Sequence, residues 1–203
     1  MPSFRRLSPI RFAVIALAVA VGGPSAEARQ CTFGWNLVPN CDFTLDLAEW
    51  TFFGDSAVHI PDDGHFAPGC VAVDRNGGPG TTIATTACLD VEPSAGYTAG
   101  GSARLASGAQ PWECRLSVIL YSEANCSGSI FQPNDLIPIT SAWTEFSRLH
   151  RMEATTLSAQ ARFSCYNPAA DFVVRLDDFW FASAIFTDGF ESGDTGAWSL
   201  AVP

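Results

Sequence analysis

Two short groups of acidic and imidazole side chains are the parts of this sequence whose types and spacing could support metal or acid–base chemistry. His59 and His65 enclose Asp62–Asp63 in the pattern His-x-x-Asp-Asp-x-His, and imidazole with carboxylate suits transition metals. A solvated Pro-Asp-Asp-Gly turn explains this pattern equally well. The second carboxylate pair is Asp177–Asp178. Glycoside hydrolysis needs two carboxylates about 5–10 Å apart across a cleft, which adjacency in sequence does not supply.

The basic residues exclude several other chemistries. All 11 basic residues among the 203 are arginines, so the chain has no lysine for a Schiff base or a phosphate-binding loop. It also has neither a Gly-x-Ser-x-Gly nor a His-Glu-x-x-His motif. The net charge of −10 argues against nucleic acid as a partner. We therefore expect no enzyme activity. A glycan-active hydrolase is the least favoured of the three functions considered for this chain.

The N-terminus predicts export. Arg5, Arg6 and Arg11 precede the apolar run at 12–21, and Ala-Glu-Ala follows at 26–28. This order is typical of a secretory signal peptide cleaved near Ala28, and the run is too short to span a bilayer. Cleavage would remove three basic residues and one acidic residue, lowering the net charge from −10 to −12. We expect a secreted protein, extracellular or periplasmic, with no membrane span.

The cysteines favour disulfides. All seven lie after the signal peptide, between Cys31 and Cys165, and no Cys-x-x-Cys pair suggests zinc. An odd number leaves one thiol unpaired, and the spacing does not select among the pairings. Cys114 and Cys126 are expected to be poor partners for each other, because they flank one extended strand.

Short β-rich runs, separated by Gly, Pro, Asn and Asp, extend from 50 to 181. No window between residues 29 and 203 sustains a helical apolar period over three turns. The pattern predicts an all-β fold, a two-sheet antiparallel β-sandwich over residues 29–182. The eight predicted strands span 50–53, 70–74, 81–91, 97–105, 114–121, 143–151, 157–166 and 171–181.

Alternation along these strands predicts four outward-facing arginines: Arg104, Arg115, Arg162 and Arg175. They could pair with carboxylates such as Glu113 and Asp177. If their strands are neighbours in one sheet, they would instead form one basic stripe that is suited to a polar or anionic glycan.

Three aromatic residues are candidates for sugar stacking. Trp112 lies in a loop between two strands, and alternation points Tyr121 and Tyr166 outward. Trp112 could instead fold over a strand edge.

Several motifs resemble those of galactose-binding-like jelly-roll carbohydrate-binding modules, of the type appended to bacterial cellulases and xylanases. The resemblance implies a jelly-roll sandwich that binds a polysaccharide or cell-wall glycan without catalysis. The alternative is a secreted or surface structural protein with the same fold and no sugar site. In chain order, the motifs are Asn-Leu-x-x-Asn-x-x-Phe with Trp at 36–50, Gly-Cys-Val-Ala-Val at 69–73, a valine strand with Pro-Ser-Ala-Gly-Tyr-Thr at 85–98, Trp-Thr-Glu-Phe at 143–146 and Leu-Asp-Asp-Phe-Trp-Phe at 176–181.

The same resemblance implies a structural calcium ion. Members of this family often carry Glu directly after the opening Phe, where this sequence has Thr44. The remaining candidate ligands are Asp178, Asp42 and Asp46, and calcium takes six to eight oxygens. Alternatively, Asp177–Asp178 could simply accept hydrogen bonds from loop amides.

The C-terminal tail, residues 183–203, is set apart from the predicted sandwich. Its stretch at 186–199, Phe-Thr-Asp-Gly-Phe-Glu-Ser-Gly-Asp-Thr-Gly-Ala-Trp-Ser, resembles a segment that ends many secreted proteobacterial proteins. A sorting or attachment tag and an extra edge segment of the sandwich both remain open.

Overall fold

The computed structural model describes residues 36–66, 68–78 and 80–184, and it is built from β-strands. The predicted signal peptide and the tail beyond 184 lie outside the described residues. Within that part of the chain no helix is long and apolar enough to cross a membrane. The strands are β1 (Trp50–Phe53), β2 (Ser56–Ile60), β3 (Cys70–Arg75), β4 (Gly80–Thr86), β5 (Leu89–Asp90), β6 (Gly96–Gly108), β7 (Glu113–Tyr121), β8 (Ser129–Phe131), β9 (Asn134–Leu136), β10 (Thr144–Arg151), β11 (Ser158–Asn167) and β12 (Phe172–Ser183).

The strands form two antiparallel sheets. In the seven-stranded sheet the order is β1-β4-β11-β7-β8, with β5 paired to β11 and β9 paired to β7. In the five-stranded sheet the order is β10-β6-β12-β3-β2. The prediction of an all-β, two-sheet antiparallel sandwich is therefore confirmed.

Alternation along the strands places the core. On β7, Cys114, Leu116, Val118 and Leu120 are all buried, as predicted, and they face buried side chains of the opposite sheet. Three strands were not predicted: β2, β8 and β9. They are short and largely exposed or half-buried, so they lack the apolar repeat that marks the others.

The opening motif is anchored between the first and last strands of the fold. The Asn36 side-chain oxygen accepts hydrogen bonds from the backbone N–H of Val38 and of Phe181, both at 3.1 Å. Phe43 is fully buried, and its ring centroid lies 4.9 Å from that of Trp50. The Trp50 ring meets Phe179 edge-on at 5.3 Å. Phe43 and Trp50 therefore belong to the hydrophobic core, and Asn36 holds the start of the motif against β12.

Disulfides form as predicted. Cys114 on β7 bonds to Cys165, directly opposite on β11, and Cys88 bonds to Cys126. Cys41 is also disulfide-bonded. In the described part of the chain the free thiol is Cys70, which is fully buried at the start of β3 and has Asp177 and Arg104 as charged neighbours. Burial raises the pKa of the Cys70 thiol to about 12, so it stays protonated and unreactive.

Candidate functional site

The four outward arginines do not form one stripe. Arg115 on β7 and Arg162 on β11 lie in the seven-stranded sheet. Arg104 on β6 and Arg175 on β12 lie in the five-stranded sheet. The expectation of a single basic stripe is therefore wrong, because alternation tells inside from outside but does not tell which sheet a strand joins.

Residues 61–66 cover part of the outer surface of the five-stranded sheet. The Asp63 carboxylate accepts hydrogen bonds from Arg104, at 2.5 Å, and from Arg175. All three side chains are only about a quarter exposed. The Arg104 guanidinium also lies over the Trp143 ring, 5.2 Å from its centroid. These two arginines are thus paired with a carboxylate, which was the alternative to a ligand-binding stripe, and Asp63 is the partner.

His65 joins the same covering segment to the sheet beneath it. Its backbone N–H donates to Asp177 at 2.6 Å. Its ring Nδ1 lies 2.8 Å from Ser102 Oγ and 3.3 Å from Asp178 Oδ2. A Ser-His-Asp relay needs the serine and the carboxylate on different ring nitrogens. Here Ser102 and Asp178 both contact Nδ1, and Ser102 is almost fully buried, so these three residues are not arranged as such a relay. The contacts hold the segment in place.

The acidic pair beneath this segment is perturbed. Burial and the neighbouring Asp178 carboxylate raise the pKa of Asp177 to about 8. Burial likewise raises the pKa of Asp178 to about 6, which the adjacent His65 opposes. Asp177 also accepts a hydrogen bond from the backbone N–H of Asp178 at 2.7 Å. Asp177 therefore accepts hydrogen bonds from the backbone amides of His65 and Asp178, which agrees for this residue with the alternative that the sequence left open.

The candidate calcium ligands have different surroundings. Asp178 Oδ2 is buried with His65 Nδ1 3.3 Å away, and the charge of Asp42 contributes to raising the pKa of Asp178. Asp46 uses Oδ1 within its own loop, where it accepts from Asn40 and from the backbone N–H of Ala48. Among the residues described, no group of three or more His, Cys, Asp or Glu side chains is arranged to hold a metal ion. His59, the other histidine of the sequence motif, contacts the Phe43 carbonyl oxygen through Nε2 at 2.7 Å.

A cleft of about 400 Å³ opens on the outer surface of the seven-stranded sheet, and we call it the sheet cleft. Strands β4, β7 and β11 form its floor, and residues 132–134 form part of its wall. Most of its lining side chains are polar or charged. They are Thr81, Ile83, Glu113, Arg115, Ser117, Gln132, Asn134, Arg162, Ser164 and Tyr166.

Hydrogen bonds already order part of the sheet cleft. Arg115 donates to Glu113 at 2.8 Å, and Ser117 donates to Asn134 at 2.5 Å. The contribution of Gln132 and Asn134 could not be predicted from the sequence, because they belong to a short polar segment with no strand pattern. The cleft therefore offers side chains suited to sugar hydroxyls, several of them held in place by neighbours.

The structure separates the three candidate aromatics. Tyr166 lines the sheet cleft, and Trp112, whose side chain is 76% exposed, donates its backbone N–H to the Tyr166 carbonyl at 2.9 Å. Trp112 borders a smaller concavity of about 150 Å³, which shares Glu113 with the sheet cleft. Tyr121 pairs with Ser158 at the far end of the β7–β11 ladder. Its hydroxyl donates to Gln160 at 2.7 Å, and burial raises its pKa.

Solved structures share this fold at low sequence identity. TmCBM61, solved in complex with β-1,4-galactotriose, aligns with a TM-score of 0.53 and 14% identity over 73% of this chain and 99% of that one. A family 16 carbohydrate-binding module aligns with a TM-score of 0.54 and 15% identity over 72% of this chain and 99% of that one. No protein-family model and no curated protein matches the sequence.

A third similar structure belongs to a larger chain. The enzymatically active domain of tailspike protein 4 from bacteriophage CBA120 aligns with a TM-score of 0.60 and 10% identity, over 73% of this chain. This chain spans about a fifth, 21%, of the length of that one. At these identities the likeness shows the fold alone, a β-sandwich of the kind found in carbohydrate-binding modules.

Proposed function

We propose that this protein is an exported, non-catalytic glycan-binding protein and that a polysaccharide or cell-wall glycan binds in the sheet cleft. The observation that carries the proposal is the contrast between the two outer surfaces. On the five-stranded sheet, Arg104 and Arg175 are paired with Asp63 of a covering segment. The seven-stranded sheet has an open, largely polar concavity of about 400 Å³.

The chemistry of the sheet cleft supports this proposal. Sugar hydroxyls need donors and acceptors in one concave surface, and a sugar ring stacks on an aromatic side chain through its apolar face. Ser164, Gln132 and Asn134 supply the polar groups, and Tyr166 supplies an aromatic surface. The exposed ring of Trp112, next to the same end of the ladder, could extend the site. Arg115 and Arg162 remain in the proposed site, whereas Arg104, Arg175 and Tyr121 are no longer included.

Export is part of the same proposal. The disulfides Cys88–Cys126 and Cys114–Cys165, together with the disulfide-bonded Cys41, favour an oxidising compartment, which agrees with the signal peptide predicted from residues 1–28. The fold likeness to the carbohydrate-binding modules supports the glycan-binding part of the proposal, since TmCBM61 was solved with β-1,4-galactotriose.

A structural calcium ion is a separate part of the proposal. Asp178 would hold it through its buried Oδ2, which has His65 Nδ1 3.3 Å away, with the charge of Asp42 nearby. Calcium prefers such hard oxygen donors, and its charge would offset the buried acidic pair. It would support the fold without taking part in glycan contact, because Asp178 belongs to the five-stranded sheet.

Affinity electrophoresis through gels containing single polysaccharides tests glycan binding. The panel would include xylan, mixed-linkage β-glucan, β-1,4-galactan, polygalacturonate and peptidoglycan fragments. We expect retardation by at least one polymer, weakened by Tyr166→Ala. Leu149→Ala is the matched control, since Leu149 is an exposed apolar residue on β10 of the other sheet. Retardation by none of these polymers would count against the proposal, and release of reducing sugar would contradict its non-catalytic part.

A further inference from the structure

The sheet cleft contains an arginine without an acidic partner. Arg162 lines it half-buried, and its Nε donates to Thr85 Oγ1 at 3.3 Å. Five other described arginines have a carboxylate oxygen within 4.0 Å: Arg75, Arg104, Arg115, Arg148 and Arg175. Among the described residues, Arg151, an exposed residue on β10, resembles Arg162 in having no carboxylate oxygen within 4.0 Å. Only one of these two unpaired arginines, Arg162, lies in the sheet cleft.

The position of Arg162 is central to the cleft floor. It lies opposite Thr85 on β4 and Ser117 on β7, so strands flank it on both sides. Arg115 lies opposite Ser164, at the diagonal position of the same ladder. Diagonal neighbours in an antiparallel pair are about 7–8 Å apart at their backbones, within reach of two long side chains. The two guanidinium groups therefore project from adjacent strands into one concavity.

The charges in the cleft do not cancel. Glu113 offsets Arg115, with which it forms a 2.8 Å ion pair, and Arg162 leaves one positive charge in excess. The whole chain carries −10, so this excess runs against the charge of the protein. A half-buried guanidinium has lost part of its hydration and gains most from an ionised acceptor. Its planar fork matches the geometry of a carboxylate.

We propose that the ligand of the sheet cleft is an acidic glycan, a polysaccharide containing uronate residues, and that Arg162 binds the uronate carboxylate with Arg115 beside it. This inference rests on the proposed function and names its ligand class. A neutral sugar could hydrogen-bond to Arg162 but would leave its charge uncompensated. The surrounding negative charge of the protein would repel a polyanion at long range, so recognition depends on the local contact and not on steering.

Isothermal titration with matched polymers tests the ligand class. The probes are polygalacturonate, alginate and glucuronoxylan, each compared with its own carboxyl-reduced form, in which the acid becomes a hydroxymethyl group. We expect at least one native polymer to bind on the order of tenfold more tightly than its reduced form, since hydrogen bonds to charged groups exceed neutral ones. Added salt should narrow the difference.

Three variants locate the effect. Arg162→Gln should abolish the preference for the native polymer, and Arg162→Lys should restore part of it because the charge is kept. Arg151→Gln makes the same change in net charge outside the cleft and should leave the preference intact. Thermal unfolding of each variant separates loss of binding from loss of fold.

The outcomes distinguish this inference from the proposed function. Equal binding of native and reduced polymers, or binding of neutral glycans only, would overturn the inference and leave glycan binding standing. Binding of none of these polymers and none of the neutral panel would overturn both. If Arg151→Gln weakened the preference as much as Arg162→Gln, the effect would come from overall charge and the role assigned to Arg162 would be wrong.

Discussion

Replacing Asp63 by Asn tests whether Arg104 and Arg175, on the five-stranded sheet, stabilise the fold. The Asp63 carboxylate is shared by Arg104 and Arg175, and the Nε atoms of both arginines are buried without a hydrogen-bond partner. In Asp63→Asn the shape of the side chain is nearly unchanged, but the guanidinium groups of Arg104 and Arg175 lose the negative charge between them. We expect the covering segment at 61–66 to loosen and the free energy of unfolding to fall.

The expected size of the loss follows from exposure. Removing one partner of a fully buried ion pair costs about 3–5 kcal/mol, and exposed pairs contribute about 0–1 kcal/mol. Asp63, Arg104 and Arg175 are each about a quarter exposed, so solvent screens part of the interaction. One carboxylate serving two arginines offsets some of that reduction. We expect a loss of about 2 kcal/mol, or about 4–8 °C in Tm for a domain of roughly 150–250 residues.

Urea denaturation of the full chain, followed by tryptophan fluorescence, gives the measurement. Glu113→Gln is the matched control, because it removes the carboxylate partner of Arg115 from a more exposed pair and should cost under about 1 kcal/mol. A double-mutant cycle with Arg104→Gln should give a coupling energy above about 0.5 kcal/mol. A loss below about 0.5 kcal/mol for Asp63→Asn would refute the reasoning. A folded Asp63→Asn protein that no longer bound glycan would move the proposed site to the five-stranded sheet.

Three further predictions concern the disulfides, pH and calcium. Replacing both Cys88 and Cys126 by Ser opens a loop with a sequence separation of 38, and the chain-entropy model gives about 4 kcal/mol for closing it. Guanidinium denaturation should show that the free energy of unfolding falls by about 2–4 kcal/mol, and an unchanged value would contradict the prediction. Burial lowers the pKa of His150, so His150 is protonated in the unfolded chain before the folded chain as pH falls below about 6.5. The wild type should therefore lose stability there relative to His150→Gln, by at most about 1.4 kcal/mol per pH unit. Parallel curves of stability against pH for the two proteins would contradict this. Calcium should raise the Tm of the wild type above its value in EDTA and leave the Tm of Asp178→Asn unchanged. Equal Tm shifts in the two proteins would exclude Asp178 as a ligand.

Much of the fold could be predicted because its signals are local. Eight runs of alternating residues corresponded to strands, although the run at 81–91 is divided into β4 and β5. The inward sets on β7 and β11 were right at each core position that alternation assigned. The strands β2, β8 and β9 were not predicted, because their residues are mostly exposed or half-buried and show no regular alternation of apolar and polar residues.

The candidate site was less predictable, because it depends on strand order. Tyr166, Arg115 and Arg162 were named from the sequence and line one cleft. Gln132 and Asn134 were not named, since their place beside β7 comes from a loop that folds back across the sheet. The pairing of Asp63 with Arg104 also spans 41 residues of sequence, beyond any local pattern.

By itself, the sequence determined nine of the twelve strands in the described part of the chain, the inward faces of the main ones and the expectation of disulfides. Each depends on residue types at short spacing, because side chains on a strand alternate with a period of two. Only the tertiary structure decided how the four outward arginines are divided, two to each sheet. Strand order results from long-range packing, so an outward arginine has the same local pattern in either sheet. Arg104 and Arg175 share the carboxylate of Asp63, whereas Arg162 faces an open cleft and has no carboxylate oxygen of the described residues within 4.0 Å.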